Sequence, residues 1–105
     1  MNDRSGGDLL SELRAEIDEA DKELTRLFQL RMELARRVGA HKKKNGLPIL
    51  DRERERQVLA SRVAQANDPE LSGALTVFYE TLMRLSRERQ QAAPENRDTE
   101  TGTGE

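Results

Sequence analysis

The sequence has no cysteine, no tryptophan, a single histidine and only three aromatic side chains, Phe28, Phe78 and Tyr79. Without thiols there is neither a disulfide framework nor a thiolate nucleophile, and one imidazole cannot build the His cluster of a zinc or iron site. No metal and no cofactor are therefore expected. No stretch approaches the roughly 20 apolar residues needed to cross a bilayer, and Met1 to Asp8 lacks the apolar core of a signal peptide. The expectation is a cytoplasmic protein with no membrane partner. A formal net charge of −2 gives no global pull toward nucleic acid.

What is present is charge and aliphatic side chains. At 105 residues, with 36% charged and 34% hydrophobic, the chain fits one small domain and cannot wrap a large core around itself. Help from a partner chain is expected. The interior has to come from Leu, Val, Ile, Ala and Met, which is the composition of a helix bundle.

Residues 1–7 (MNDRSGG) are short, polar and glycine-rich, and read as a flexible leader. From Leu9 to Val38 the apolar residues Leu10, Leu13, Ile17, Ala20, Leu24, Leu27, Leu34 and Val38 keep the 3–4 spacing of an amphipathic helix. Gly39 lies inside this helix, because good helix formers follow it and the stop signal is Asn45-Gly46-Leu47-Pro48. A helix of about 35 residues is about 50 Å long at its ordinary rise, longer than a compact monomer of this size is wide. Its apolar stripe needs another chain. Asp51 can cap a second helix from Arg52 to Ala66, with Glu55, Val58, Leu59, Arg62 and Val63 on one face. Asp68 and Pro69 form a further start signal, and a third helix runs to Gln91. Its inner stripe is Leu71, Leu75, Phe78, Leu82 and Leu85, with Tyr79, Met83 and Ser86 on the shoulder. Residues 92–105 lack apolar periodicity and read as a disordered tail. The fold class is thus all-α, with a long, a short and a medium helix carried by residues 8–91.

Several polar side chains occupy positions where the helical period calls for apolar ones, which is costly unless they have partners. Arg31 lies four after Leu27 and three before Leu34; Lys42 lies four after Val38; Arg14 lies three before Ile17. The second helix offers Glu55, three before Val58, with Arg54 beside it, and the third offers Ser86 and Gln90, four apart. Together they make a cationic pocket with neutral and acidic hydrogen-bonding partners, suited to a small dianion. Guanidiniums are apt for carboxylates because the planar fork can meet both oxygens.

Each residue also has a plainer reading. One arginine alone can be a snorkelling side chain or half of a salt bridge. His41 reads as a solvent-facing residue, since Lys42 holds the better register. Lys43 and Lys44 read as cations at a helix C-terminus, where the dipole favours them. The run Arg52-Glu53-Arg54-Glu55-Arg56 is a solvated face laced with ion pairs, apart from its inward members.

Taken in order, these residues resemble the all-helical (type II) chorismate mutases over residues 9 to 91. The resemblance is carried by Leu13-Arg14, Ile17-Asp18, Arg31-Met32-Glu33-Leu34-Ala35, Val38-Gly39 with Lys42, Gly46-Leu47-Pro48-Ile49, Asp51, Arg54-Glu55, Phe78-Tyr79 and Ser86-Arg87-Glu88-Arg89-Gln90. It implies an intertwined homodimer with shared active sites, in which Arg14 reaches into the partner's site while Arg31, Arg54 and Lys42 come from the other chain. It further implies that Lys42 and Gln90 bracket the ether oxygen of the breaking bond. Glu55 and the Asp51 region receive the ring hydroxyl, and Ser86 assists a carboxylate. The implied reaction is the Claisen rearrangement of chorismate to prephenate, in phenylalanine and tyrosine synthesis, which needs no nucleophile, proton transfer or cofactor.

Two kinds of alternative stand beside this. Aminodeoxychorismate mutases and isochorismate pyruvate lyases share the scaffold, and Glu55 is the position that favours chorismate among them. A noncatalytic helical interaction module would explain the long helix and the charge, though not the joint spacing of Arg14, Arg31, Lys42, Glu55, Ser86 and Gln90. The length suggests a monofunctional enzyme without a regulatory domain. Whether a second enzyme binds and activates it is left open by the sequence.

Overall fold

The computed structural model describes residues 6–94, and these divide between two compact units, Met1–Arg31 and Met32–Glu105. Three α-helices and one short 3-10 turn make up the regular structure among the described residues: α1 (Gly6–Lys44), α2 (Arg52–Gln65), the turn Pro69–Leu71, and α3 (Ser72–Ala92). The class is all-helical, as expected. Most of the leader lies outside the described residues, and so does the tail from residue 95 onward. Among the described residues, no helix is long and apolar enough to cross a membrane.

Helix α1 begins two residues before the expected start at Asp8. Asp8 instead falls in the first turn, where a carboxylate meets the positive end of the helix dipole. In the first unit the large apolar residues of α1 are all substantially exposed: Leu10, Leu13 and Leu27 lie near 45–47% and Ile17 reaches 57%. The unit therefore has a hydrophobic stripe and no core of its own. Its polar side carries the i,i+3 ion pairs Glu19–Lys22 and Glu23–Arg26, modest local supports for the helix.

The second unit holds the buried residues. Ala35, Ala40, Val58, Leu82, Met83 and Ala93 are buried, together with the polar Ser86. Small side chains at 35 and 40 let the C-terminal part of α1 come close to its neighbours. That part ends at Lys44, and the chain turns at Gly46, whose φ of +67° suits a residue without a Cβ. The Gly46 N–H donates to the Lys43 carbonyl and the Leu47 N–H to the Lys42 carbonyl at 2.8 Å, the paired bonds of a Schellman motif. Asp51 then caps α2, its Oδ1 accepting from the Arg54 N–H at 3.0 Å.

The third helix departs from expectation in two ways. Asp68 caps a 3-10 turn and not α3 itself: its Oδ1 accepts from the Glu70 N–H, and its carbonyl from the Leu71 N–H. This three-residue spacing winds the chain too tightly for an α-helix, which starts at Ser72. The buried face of α3 is also rotated. Leu82, Met83 and Ser86 are buried and Tyr79 half-buried, whereas Phe78 is 44% and Leu71 50% exposed. The shoulder residues are thus taken into the interior of the unit, where α3 packs on α2, and part of the predicted inner stripe is left outside.

Lys43 lies in the last turn of α1, as expected, and in addition its ammonium donates to the carbonyls of Gln91 at 2.5 Å and Ala93 at 2.6 Å. It therefore ties down the last turn of α3, whose carbonyls have no partners within the helix. Ala92 closes that helix and Ala93 is 4% exposed, so residues assigned to the tail by sequence begin as part of the packed unit.

Candidate functional site

The site in the second unit is set by three local devices. The Schellman stop at Gly46 fixes where α1 ends, and hence where Lys42 stands in its last turn. Gly39, one turn earlier, lies against the backbone of Gln90. The Lys43 bonds pin the end of α3 beside it.

Within that frame the Lys42 ammonium donates to Gln90 Oε1 at 2.9 Å and to the Ile49 carbonyl at 2.7 Å. Both side chains are half-buried. An ammonium has three hydrogens, so these bonds leave one donor of Lys42 for a solute. The Gln90 amide presents its oxygen to Lys42, which leaves its NH₂ group available to donate elsewhere. Two donors of different charge thus stand side by side on α1 and α3, with Ser86 buried one turn before Gln90.

On α2, the half-buried Glu55 receives Arg87 Nη1 on both carboxylate oxygens, each at 2.6 Å. Arg87 lies three residues before Gln90, so this ion pair sits one turn along α3 from the Lys42–Gln90 bond. Glu55 and Arg87 line a depression of about 400 Å³ together with Leu50, Arg52 and Arg56. A second depression of about 400 Å³, lined by Asp18, Asp21, Lys22, Thr25, Arg26 and Gln29, is a row of side chains along one exposed helix. It gathers no convergent set of donors, and we assign it no role.

Of the residues singled out from sequence, the structure brings Lys42 and Gln90 into contact and places Ser86 and Glu55 in the same unit. Asp51 is engaged as the cap of α2. Arg54, read as an inward member of its run, is exposed, and only its backbone N–H enters that cap. Arg14 and Arg31 belong to the first unit, Arg14 exposed and Arg31 half-buried. His41 is exposed, as expected.

Sequence reasoning missed two participants. One is the Ile49 carbonyl, which leaves no trace in side-chain patterns. The other is Arg87. Its position four after Met83 and three before Gln90 puts it on the edge of the inward stripe, which was the available signal.

Electrostatics on the neighbouring surface are simple. The Arg36 guanidinium, hydrogen-bonded to Glu33 at 2.7 Å, holds that carboxyl below the usual glutamate range, with Arg36, Arg37 and Arg89 adding their charge. Among the described residues, no group of three or more His, Cys, Asp or Glu could hold a metal ion.

Comparison with known proteins completes the description. The family model for chorismate mutase type II matches residues 13–91. The T-protein of Haemophilus influenzae is 42% identical over 79 residues, covering 75% of this chain and 20% of that protein. The bifunctional chorismate mutase/prephenate dehydratase of Aquifex aeolicus is 39% identical over 79 residues, 75% of this chain and 21% of that protein. The T-protein of Enterobacter agglomerans is 40% identical over the same length, with the same two shares. The chain spans about a fifth of the length of these curated relatives. No solved structure gives a significant match.

Proposed function

Because this chain belongs to the chorismate mutase type II family, we propose that it converts chorismate to prephenate in the synthesis of phenylalanine and tyrosine. The observation that carries the proposal is the bond between Lys42 Nζ and Gln90 Oε1 at 2.9 Å. The rearrangement breaks a carbon–oxygen bond and forms a carbon–carbon bond in one cyclic step, so no group on the protein needs to form a bond to the substrate. Two effects can accelerate it. One is holding the flexible enolpyruvyl arm over the ring, which removes part of the entropic barrier. The other is donating hydrogen bonds to the ether oxygen, which gains negative charge as its bond lengthens.

Lys42 and Gln90 supply the second effect. The free hydrogen of the ammonium and the NH₂ of the amide converge on one acceptor, and each bond strengthens as that acceptor becomes an oxyanion. A donor of this kind is worth about 3 kcal/mol in the transition state. The first effect falls to the guanidiniums of Arg14, Arg31 and Arg54, which share the two carboxylates with Lys42, with Ser86 assisting one of them. Glu55 and the region of Asp51 accept the ring hydroxyl. Residues 8–91 carry these groups.

The working form is an intertwined homodimer in the cytoplasm, with Arg14 contributed across the interface. Supporting this is the exposed stripe of Leu10, Leu13, Ile17, Leu24 and Leu27 on α1, a contiguous apolar surface of the kind that calls for a partner.

The test is to add purified protein to chorismate and follow the loss of its absorbance, with the 4-amino analogue and isochorismate in parallel. Rapid loss of chorismate with formation of prephenate is expected. Turnover of the 4-amino analogue or isochorismate in its place would reassign the activity, and no turnover of any of the three would refute it.

A further inference from the structure

Glu55 accepts the ring hydroxyl in the reaction as described so far, but its ion-pair partner Arg87 has no part in it. The geometry of the pair is specific: one guanidinium nitrogen, Nη1, reaches both oxygens of the carboxylate at 2.6 Å. That nitrogen carries two hydrogens, one for each oxygen, so the carboxylate is held symmetrically and keeps lone pairs on its far side. The side chains are 33% and 25% exposed, enough shielding to favour one arrangement and enough opening to meet a solute. The depression that the pair lines contains three guanidiniums, from Arg52, Arg56 and Arg87, against one carboxylate. Arg56 is engaged by Glu53. No such neighbour offsets Arg87 other than Glu55 itself among the described ion pairs.

We propose that Arg87 is a positioning and specificity-determining residue that acts through Glu55: it fixes the carboxylate as an acceptor for a ring hydroxyl and cancels the charge that would draw a ring ammonium. The inference deepens the function proposed above and rests on it. A carboxylate standing alone attracts an ammonium more strongly than a hydroxyl, because the first interaction is between full charges and the second is not. Beside Arg87 that preference is removed, and the guanidinium repels an incoming cation directly. Selectivity thus comes from a repulsive element placed next to the attractive one. A hydroxyl loses nothing by this, since the outer lone pairs still accept its proton.

The experiment measures kcat and KM for chorismate and for its 4-amino analogue, with the wild-type chain, Arg87→Met, Arg87→Gln, Glu55→Gln and the double variant Glu55→Gln/Arg87→Met. Removing the guanidinium is expected to lower kcat/KM for chorismate about tenfold and to move the ratio of the two substrates about tenfold toward the amino compound. In the Glu55→Gln background the same removal should shift the ratio by less than about twofold, because the residue through which Arg87 acts is gone. Arg87→Gln keeps a hydrogen-bond donor while removing the charge, and carries the comparison if Arg87→Met does not fold. Equal losses on both substrates, or an equal shift in the Glu55→Gln background, would overturn the inference alone. A wild-type chain that turns over neither compound would overturn the proposed function and this inference together.

Discussion

Gly39 on α1 and Gln90 on α3 approach so closely that a Cβ at position 39 would stand 2.3 Å from the Gln90 carbonyl oxygen and 2.5 Å from its Cα. Both are backbone atoms, which cannot swing aside as a side chain can. The glycine therefore sets the distance between the helices, and with it the reach of Lys42, three residues on, to the Gln90 amide. We predict that Gly39→Ala destabilises the fold by about 1–3 kcal/mol through overpacking. It should also lower turnover at least about tenfold, through misplacement of the donors. Denaturant midpoints and kcat measured on the same preparation test this, and an alanine variant with unchanged values of both contradicts it.

A second prediction concerns acid. The hydrogen bond from Arg36, followed by the charges of Arg36, Arg37 and Arg89, lowers the pKa of Glu33 in the folded chain. A lowered folded-state pKa means that the stabilisation is fully present above the ordinary glutamate value and is lost as pH falls through the folded one. Glu23, held by Arg26, behaves in the same sense. The melting temperature should fall on acidification below the glutamate range, and Glu33→Gln should lower it slightly at pH 7 and flatten its fall. Both pairs are accessible to solvent, so 1 M salt should weaken the effect. An equally steep acid dependence in Glu33→Gln would show that the pair contributes nothing.

A third prediction follows from the proposed sharing of sites between two copies. Arg14→Ala and Arg31→Ala should each be nearly inactive, because each removes a guanidinium from every site of its own homodimer. When the two variants are unfolded together and reassembled, mixed dimers should regain activity at one of their two sites. Recovery to about a quarter of wild-type activity is the statistical expectation for an equal mixture, since half the dimers are mixed and each then carries one intact site. No recovery after verified subunit exchange would mean that the sites are not shared in this way.

Much of the second unit was legible because its devices are local. The stop at Asn45-Gly46, the cap at Asp51 and the 3–4 spacing around Val58 and Leu82 each depend on a few neighbouring residues, and the structure has elements close to those positions. Lys42 and Gln90 could each be singled out in advance because each breaks an apolar period on its own helix, and the family resemblance implied that they act together. Harder to read was the rotation of α3, which buries Met83 and Ser86 ahead of Phe78. Period alone does not distinguish adjacent faces of a helix when both carry apolar residues, and α3 carries them on both. Arg87 was hidden by its neighbours, since an Arg in Ser86-Arg87-Glu88-Arg89 looks like one more solvated charge until its partner across the helices is known. Lys43 stands in the last turn of α1 as expected, but its second task, at the end of α3, was hidden for a similar reason. The sequence places it at the end of α1, and only the fold brings the end of α3 within its reach.

The most direct test of the account is the turnover of Lys42→Ala at saturating chorismate. Loss of the ammonium removes a donor whose bond to the ether oxygen strengthens as the reaction proceeds, so kcat should fall about a hundredfold or more, by at least as large a factor as any rise in KM. An unchanged kcat with weakened substrate binding would contradict the central claim, since it would make Lys42 a group that binds the substrate and its transition state alike.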